Sequence, residues 1–457
     1  MPISDSLDNA LRGIFGAALV VDPAECLAYG YDNSRRQAQP DAVVFPTTHE
    51  QVVALVRVCR AAHAPLIARG RGTNTTGATV PVDGGVVVSF ERMNGIVKID
   101  ADNRLAVVEP GVLNGDLQTA LAAHGFFWPP DPTSSPYCTI GGNLACNAAG
   151  PRAVKYGSCR ENTLALRGVT GTGEEFRCGV NTTKGAVGYD LTRLLIGAEG
   201  TLATVTEATL KLTPKPAAKA TLSASYAGVG AAAAAVARIM AQPVVPCALE
   251  FMDDEALRLA RAHAGEAIPV AGALLIVEAD GDPADLPRAV EALGAAARGA
   301  GLIEMRSAVD AHEAETLWTA RRALSPALRT ISPDKINEDV VVPVSRLPEL
   351  IAALRGIAKK YAIPIVNFGH AGNGNIHVNL LPRDAQEHAR AESALPEVFR
   401  CVIDLGGTLS GEHGIGLAKR DFLRDALDPT ALNLMRAIKA QFDPDGILNP
   451  GKLLPPV

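Results

Sequence analysis

The chain has 457 residues, 47% of them hydrophobic, and 43 Lys and Arg against 49 Asp and Glu give a formal net charge of −6. That length predicts two or three domains with a core that needs no staples, and the mild, unclustered charge argues against a nucleic acid or an anionic membrane surface as partner. No apolar run reaches the roughly 18 residues of a spanning helix, and the cysteines at 26, 59, 138, 146, 159, 178, 247 and 401 form no CxxC pair, so neither a zinc ribbon nor an iron–sulfur cluster is encoded.

The N-terminus carries Asp5 and Asp8 and no early basic cluster. It reads as an amphipathic helix with Leu7, Leu11 and Phe15 on one side, not as an export signal, so the cysteines are expected to be small buried hydrophobes in a cytoplasmic protein. AVVFP, from Ala42, is a strand, Thr48 to Gln51 is a capping box, and a helix follows to about His63 with Val52, Leu55, Val56 and Cys59 at helical spacing. PLIAR closes a βαβ unit. The next segment, RGRGTNTTG from Arg69 to Gly77, departs from the dinucleotide fingerprint: Thr75 stands where a third glycine belongs, and the next element, GGVVVSF, is a strand. Its successive backbone N–H groups can still cradle a pyrophosphate. A second low-bulk loop, TIGGNLACNAAG from Thr139 to Gly150, follows FFWPP and lets backbone approach a ligand closely.

TPKPAAK, 213–219, marks a boundary. Beyond it come TLSASY as a strand, an alanine-rich helix at 230–241, PCALEFMD and GALLIVEAD as strands, a helix at 284–300 and LIEMRSA as a strand. This β-α-β-β-α-β order predicts an antiparallel sheet with helices on one face, hence an α+β second domain. HEAETLWTARRALSPALR and SRLPELIAALRGIAKKYA add helices, and further helices lead to FDPDGILNPGKLL. No internal repeat is present.

Two motifs carry chemistry: GHAGNGNIH, Gly369 to His377, and GEHG, Gly411 to Gly414. A hairpin turning at Gly372-Asn373 would pair His370 with Asn375 and Phe368 with His377, projecting His370, Asn375 and His377 to one side. Two imidazoles and Glu412 make a ligand set for a divalent metal, and His413 is left as a base. Unaided, moving a proton from an alcohol near pKa ~16 to an imidazole near ~6.5 costs on the order of 12 kcal/mol. A metal that lowers a bound water to about 7 would remove most of that penalty. The resulting alkoxide can expel a hydride, and the glycine loops offer a place for its acceptor. A metallohydrolase using His370, His377 and Glu412, with the loops merely structural, stays open at this point, as does a non-catalytic partner subunit.

PTTHEQV, ARGRGTNTTG, TIGGNLACNAAG, IGAEGTL, GHAGNGNIH, GEHGIG and NPGKL occur in this order over nearly the whole chain. In this the chain resembles the flavin-dependent D-2-hydroxyacid dehydrogenases of the vanillyl-alcohol-oxidase type, the group of D-lactate dehydrogenase, the glycolate oxidase large subunit and D-2-hydroxyglutarate dehydrogenase. The resemblance implies an FAD-binding domain over 1–215 (core about 38–214), a ferredoxin-like cap domain over 216–410 and a return over 411–457 to the FAD domain. It implies noncovalent FAD, because the first loop lacks the histidine or cysteine that covalent members carry there. Contacts would come from Arg69, Gly70, Arg71, Gly72, Thr73, Asn74, Thr75 and Gly77, and from Pro132, Thr133, Ser134, Cys138, Thr139, Gly141, Gly142, Asn143, Ala145 and Gly150. Tyr156, Gly157, Glu199, Gly200, Val205 and Asn449 would complete the set.

The resemblance further implies a divalent metal, zinc first and manganese or iron as alternatives, on residues matching His370, His377 and Glu412, with His413 deprotonating the metal-bound hydroxyl while FAD takes the hydride. Arg321 would hold the substrate carboxylate with help from Ser325, Lys335 and Asn375. Asn337 stands where hydroxyglutarate-type members place a lysine, and Asn373 replaces a common aspartate. Both departures favour D-lactate over D-2-hydroxyglutarate, with glycolate the other short alternative. Electrons would leave to a separate quinone, cytochrome, electron-transfer flavoprotein or iron–sulfur subunit, or to oxygen. The protein would be cytoplasmic or peripheral to the inner membrane face through that acceptor, and compatible with a homodimer.

Overall fold

The computed structural model describes residues 3–265, 268–308 and 311–456. They divide into a first unit, Met1–Gly150, Gly157–Lys215 and Glu412–Val457, and a second, Pro151–Tyr156 and Pro216–Gly411. The stretch expected to run unbroken to residue 215 thus leaves the first unit for six residues.

The first unit holds two main sheets, besides a two-stranded antiparallel pair of Phe126–Phe127 with Thr213–Pro214. Strands β1 (Leu19–Val20), β2 (Ala42–Val44), β3 (Leu66–Arg69) and β4 (Val86–Ser89) form one in the order β1-β2-β4-β3, with β2 and β3 both parallel to β4. Their continuous apolar runs are buried on both faces, as parallel strands require. Helix α1 (Asp5–Phe15), capped by Ser4, buries Leu7, Leu11 and Phe15 against Val52, Leu55 and Val56 of α2 (His49–Ala61). Thr48 caps α2 by accepting from Gln51 N, while the Gln51 side chain reaches one residue further back, to Thr47 N at 2.8 Å. The outer edge of β3 is completed from the far end of the chain: Leu66 N donates to Ile447 O and Asn449 N to Leu66 O.

The second sheet is antiparallel: β5 (Ile96–Asp100), β6 (Leu105–Val108), β7 (Thr163–Thr170), β8 (Glu175–Gly179) and β9 (Ala203–Lys211), in the order β5-β6-β9-β7-β8. The segment expected to be a glycine loop at 139–150 begins instead as helix α3 (Ile140–Cys146). Glycine disfavours helix, but Thr139 caps the turn by accepting from Gly142 N at 3.2 Å. Gly141 packs where a Cβ would lie 2.7 Å from that of Pro110. Asn147, left-handed at φ 52°, ends the helix.

The second unit is built on one seven-stranded sheet. Its elements are β10 (Ala218–Tyr226), α4 (Val229–Met240), β11 (Ala248–Asp253), α5 (Asp254–Ala264), β12 (Ala273–Gly281), α6 (Leu286–Ala297), β13 (Leu302–Ser307), α7 (Ala311–Ile331), β14 (Ile336–Val341), α8 (Leu347–Tyr361), β15 (Ile365–His370), β16 (Asn375–Leu380) and α9 (Ala385–Asp404). The order is β13-β10-β12-β11-β15-β16-β14, antiparallel throughout. Two expectations are corrected. Helix α5 intervenes between β11 and β12, started by Asp253, which accepts from Ala256 N at 2.8 Å. And helices cover both faces of the sheet. Leu274 and Ile276 pack with Leu257 of α5 and with Leu324 and Leu328 of α7. Tyr226, opposite Ala273 and so on the other face, donates its hydroxyl to Ala297 O of α6. The unalternating run ALLIV in β12 is the sequence signature of that double burial.

Candidate active site

In the second unit, β15 and β16 form the expected hairpin. Phe368 pairs with His377, and a short 3-10 turn, Ala371–Asn373, closes on Gly374 at φ 72°. The register sets the His370 and His377 rings on one side, 5.2 Å between centroids and edge to face. Each ring is backed by a carboxylate from a neighbouring strand. Glu250 of β11 lies opposite His370 in the ladder, with Oε1 2.5 Å from His370 Nδ1. Its other oxygen accepts from Arg321 Nε at 2.7 Å. Burial pushes the Glu250 carboxyl up, but the charges of His370 and Arg321 and hydrogen bonds from both override it and bring the group down to about 2. The Arg321 guanidinium lies 4.5 Å over the Phe368 ring.

On the other edge Asp339 of β14 pairs with His377, Oδ1 to Nδ1 at 3.8 Å. Asp339 also accepts from Asn375 Nδ2 at 2.5 Å, Gly411 N at 2.9 Å and Ser410 Oγ at 3.2 Å. Asn375, expected to meet substrate, gives its amide nitrogen to Asp339 and to Val340 O. Lys335 donates to Asn379 Oδ1 at 3.0 Å, and burial lowers its ammonium to about 8. The Ser325 side chain lies outside the described residues. Glu250 and Asp339 were missed as site residues; their signal is an acid set in an apolar strand, Glu250 in ALEFM and Asp339, beside Glu338, in EDVVV.

In the first unit the loop after β3 turns at Gly72 and Gly77, φ 65° and 81°. Arg69 at its start donates to Tyr31 O at 2.6 Å and to Thr79 Oγ1, and Arg71 lies 3.7 Å from Glu91. Gly70 leaves no room for a side chain, since a Cβ would sit 2.3 Å from Thr139 Oγ1. Asn74 is the hub: its Oδ1 accepts from Thr76 N, Thr76 Oγ1 and Ala78 N, and its Nδ2 donates to Cys146 Sγ and to His413 O at 2.9 Å. Thr73 and Thr75 complete that loop.

Pro132 and Ser134 anchor a turn by accepting from Ser135 N and Cys138 N, with Thr133 exposed, and Asn143 accepts from Asn114 Nδ2. Glu199, at φ 52° beside Gly200, donates its backbone N–H to Ala145 O and accepts from Ile415 N and Gly416 N. Burial raises its carboxyl to about 7 against those hydrogen bonds. Glu412 accepts from Gly150 N at 2.6 Å. Gly157 has φ 79° and Val205 flanks a bulge in β9. Tyr156 belongs to the second unit, where its hydroxyl donates to Asp280.

Whether this chemistry suits FAD can be judged from what the loops leave over. Thr75 Oγ1 and Asn449 Oδ1 are buried without a protein partner. Asn449 Nδ2 is held by Ala78 O and Glu199 O, so its oxygen is the atom left for a ligand. Orphaned polar atoms beside glycines that admit no Cβ fit a dinucleotide.

A parallel-stranded α/β layer joined to an antiparallel sheet, with such loops, defines a flavin-binding oxidoreductase. The comparisons agree. Residues 40–179 match the family described as FAD binding domain and 215–453 the FAD linked oxidases, C-terminal domain. The chain is 41% identical over 431 residues to the glycolate oxidase subunit GlcD of Bacillus subtilis (strain 168), covering 93% of this chain and 92% of that one. It is 34% identical over 428 residues to a D-lactate dehydrogenase of Anaerostipes hadrus, covering 91% and 90%. Among solved structures, p-cresol methylhydroxylase with substrate bound superposes at TM-score 0.82 over 99% of this chain and 98% of that one, at 17% identity, a likeness of fold. The chain belongs to the FAD-linked oxidase family and is a flavin-dependent oxidoreductase. No helix among the described residues is long and apolar enough to cross a membrane.

Proposed function

We propose that the protein oxidises a short 2-hydroxyacid, D-lactate or glycolate, to the 2-oxoacid and delivers the electrons to a separate acceptor. The observation that carries this reading is the line Arg321–Glu250–His370, which sets a guanidinium and an imidazole on one side of the second unit's sheet. A 2-hydroxyacid presents a carboxylate and a hydroxyl on adjacent carbons, which match that pair. The relatives' names support the same substrate class.

With Nε committed to Glu250, the terminal guanidinium nitrogens of Arg321 take the carboxylate in a fork. His370 and His377 hold the hydroxyl end, and the carboxylate behind each ring suits them to bind a divalent metal. The motif assigns Glu412 as third ligand, and such an ion would supply acidity to the hydroxyl. His413 takes the hydroxyl proton. Its backbone is steadied by Asn74, and the chain just beyond it by Glu199. Bound FAD would supply the acceptor for the hydride leaving the alpha carbon, so that the substrate gives up one proton and one hydride. Lys335 and the Asn375 oxygen face the outer end of the substrate in this assignment. The eight cysteines are unpaired and spaced unlike cluster ligands, so a second electron carrier is left to a partner.

Anaerobic mixing with D-lactate, glycolate and D-2-hydroxyglutarate tests this. At least one of the first two should bleach the flavin. If neither of those two does, before or after adding zinc or manganese, the reading is wrong, and bleaching by D-2-hydroxyglutarate alone would move it to the longer substrate. His413→Asn should keep FAD while flavin reduction slows by about 100-fold or more; a fully active variant removes the base.

A further inference from the structure

Glu250 has no exposed surface and sits mid-strand on a sheet face whose neighbours Met252, Leu274 and Ile276 are apolar. Burying an ionised carboxylate there costs several kcal/mol unless its oxygens are met by charged donors. Both are met, each by a different partner: Oε1 by His370 Nδ1 and Oε2 by Arg321 Nε. An ionised carboxylate can only accept, so Nδ1 of His370 carries a proton, and in the neutral ring the lone pair is then on Nε2. That is the tautomer a metal ligand needs. The Nε–H bond likewise fixes the plane of the guanidinium, which stacks on Phe368, and so fixes the direction of its two terminal nitrogens. The corresponding pairing of Asp339 with His377 is longer, at 3.8 Å.

We propose that Glu250 is a positioning residue that sets the His370 tautomer and the Arg321 plane together, so that the hydroxyl end and the carboxylate end of the site are aligned by one buried side chain. The proposal rests on the reading in which Arg321 takes the substrate carboxylate and His370 a divalent metal. Loss of Glu250 should therefore damage two things that touch different parts of a substrate, metal affinity and carboxylate affinity.

The test uses the full chain with FAD bound and two readouts: calorimetric titration with Zn2+ alone, and steady-state kinetics with D-lactate and glycolate. In Glu250→Gln a single carbonyl oxygen replaces two accepting oxygens, and the amide group meets the donor of one partner. Zn2+ affinity should fall about 10- to 100-fold, and KM should rise about tenfold, by a larger factor than kcat falls. Glu250→Asp keeps the charge one methylene short, and its Zn2+ affinity should lie between those of Glu250→Gln and wild type.

His370→Ala separates the possible failures. If it loses Zn2+ binding while Glu250→Gln keeps wild-type affinity and KM, the positioning role is overturned and the proposed function stands. If wild type and His370→Ala bind Zn2+ alike, the metal reading falls and takes this inference with it. Should Glu250→Gln not retain FAD, Glu250→Asp decides: weakened Zn2+ affinity with raised KM supports the role, and wild-type values overturn it.

Discussion

Asp253 shows how one buried acid can carry a pH response. It caps α5 through Ala256 N and accepts from both Asn367 N and Asn367 Nδ2. Burial nevertheless wins over these hydrogen bonds and pushes the carboxyl up to about 6. The folded pKa lies above the unfolded value of about 3.9, so the folded state binds the proton more tightly. The stabilisation from that proton is full below about pH 4 and is lost as pH rises through about 6, an effect of about 3 kcal/mol. Asp253→Asn should flatten this slope. It should also cost about 2 kcal/mol at low pH, because its amide nitrogen would face the two Asn367 donors. Urea unfolding at about pH 4 and about pH 7 measures both effects; an unchanged slope would place the titrating group elsewhere.

At the scale of elements, Gly70 and the cap of α3 form one joint. The Cβ of an alanine at 70 would lie 2.3 Å from Thr139 Oγ1, the atom that accepts from Gly142 N. Gly70→Ala should therefore lower the thermal midpoint and weaken FAD retention, while Thr139→Ala should cost about 1 kcal/mol for the lost cap. The double variant should be less damaged than the sum, with a coupling of about 1 kcal/mol or more. Strict additivity would deny the joint.

The same elements show what was legible. The β15–β16 hairpin could be read because a Gly-Asn-Gly turn separates strands whose alternation fixes the facing side, and His370 and His377 followed from it. Helix α3 was hidden because two glycines argue locally for a loop, against which stand the Thr139 cap and the packing of Gly141 on Pro110. Helix α5 had its signal, Asp253 before DEALRLA, but lies between two strands that looked consecutive. Glu250 acquires meaning only from its neighbour across the ladder, a pairing made over 120 positions of chain, which no local pattern contains.

For the whole molecule, composition and motif order sufficed for class and family. The six-residue loan of Pro151–Tyr156 to the second unit was not readable, since Tyr156 is fixed there by Asp280 across 124 positions. The first unit's β3 ends on Ile447 and Asn449, and Asp443 holds Ile447 N and Leu448 N at 3.1 and 2.8 Å. A chain cut after Gly411 should therefore expose the edge of β3 and the buried faces of Leu66 and Val86, and should aggregate or fail to hold FAD. Recovery of a soluble yellow product would contradict that dependence.

That edge also sets a timetable. The first unit's opening segments emerge from the ribosome early, yet the residues that close β3 come only after 216–411 have been made. At about 5–20 residues per second the stretch from β4 to Ile447 takes about twenty to seventy seconds, during which the parallel layer stands with one side open. The second unit, apart from its borrowed hexapeptide, is contiguous and can fold in that interval. Synthesis thus builds the half bearing Arg321, Glu250 and His370 before the half that receives the flavin can finish.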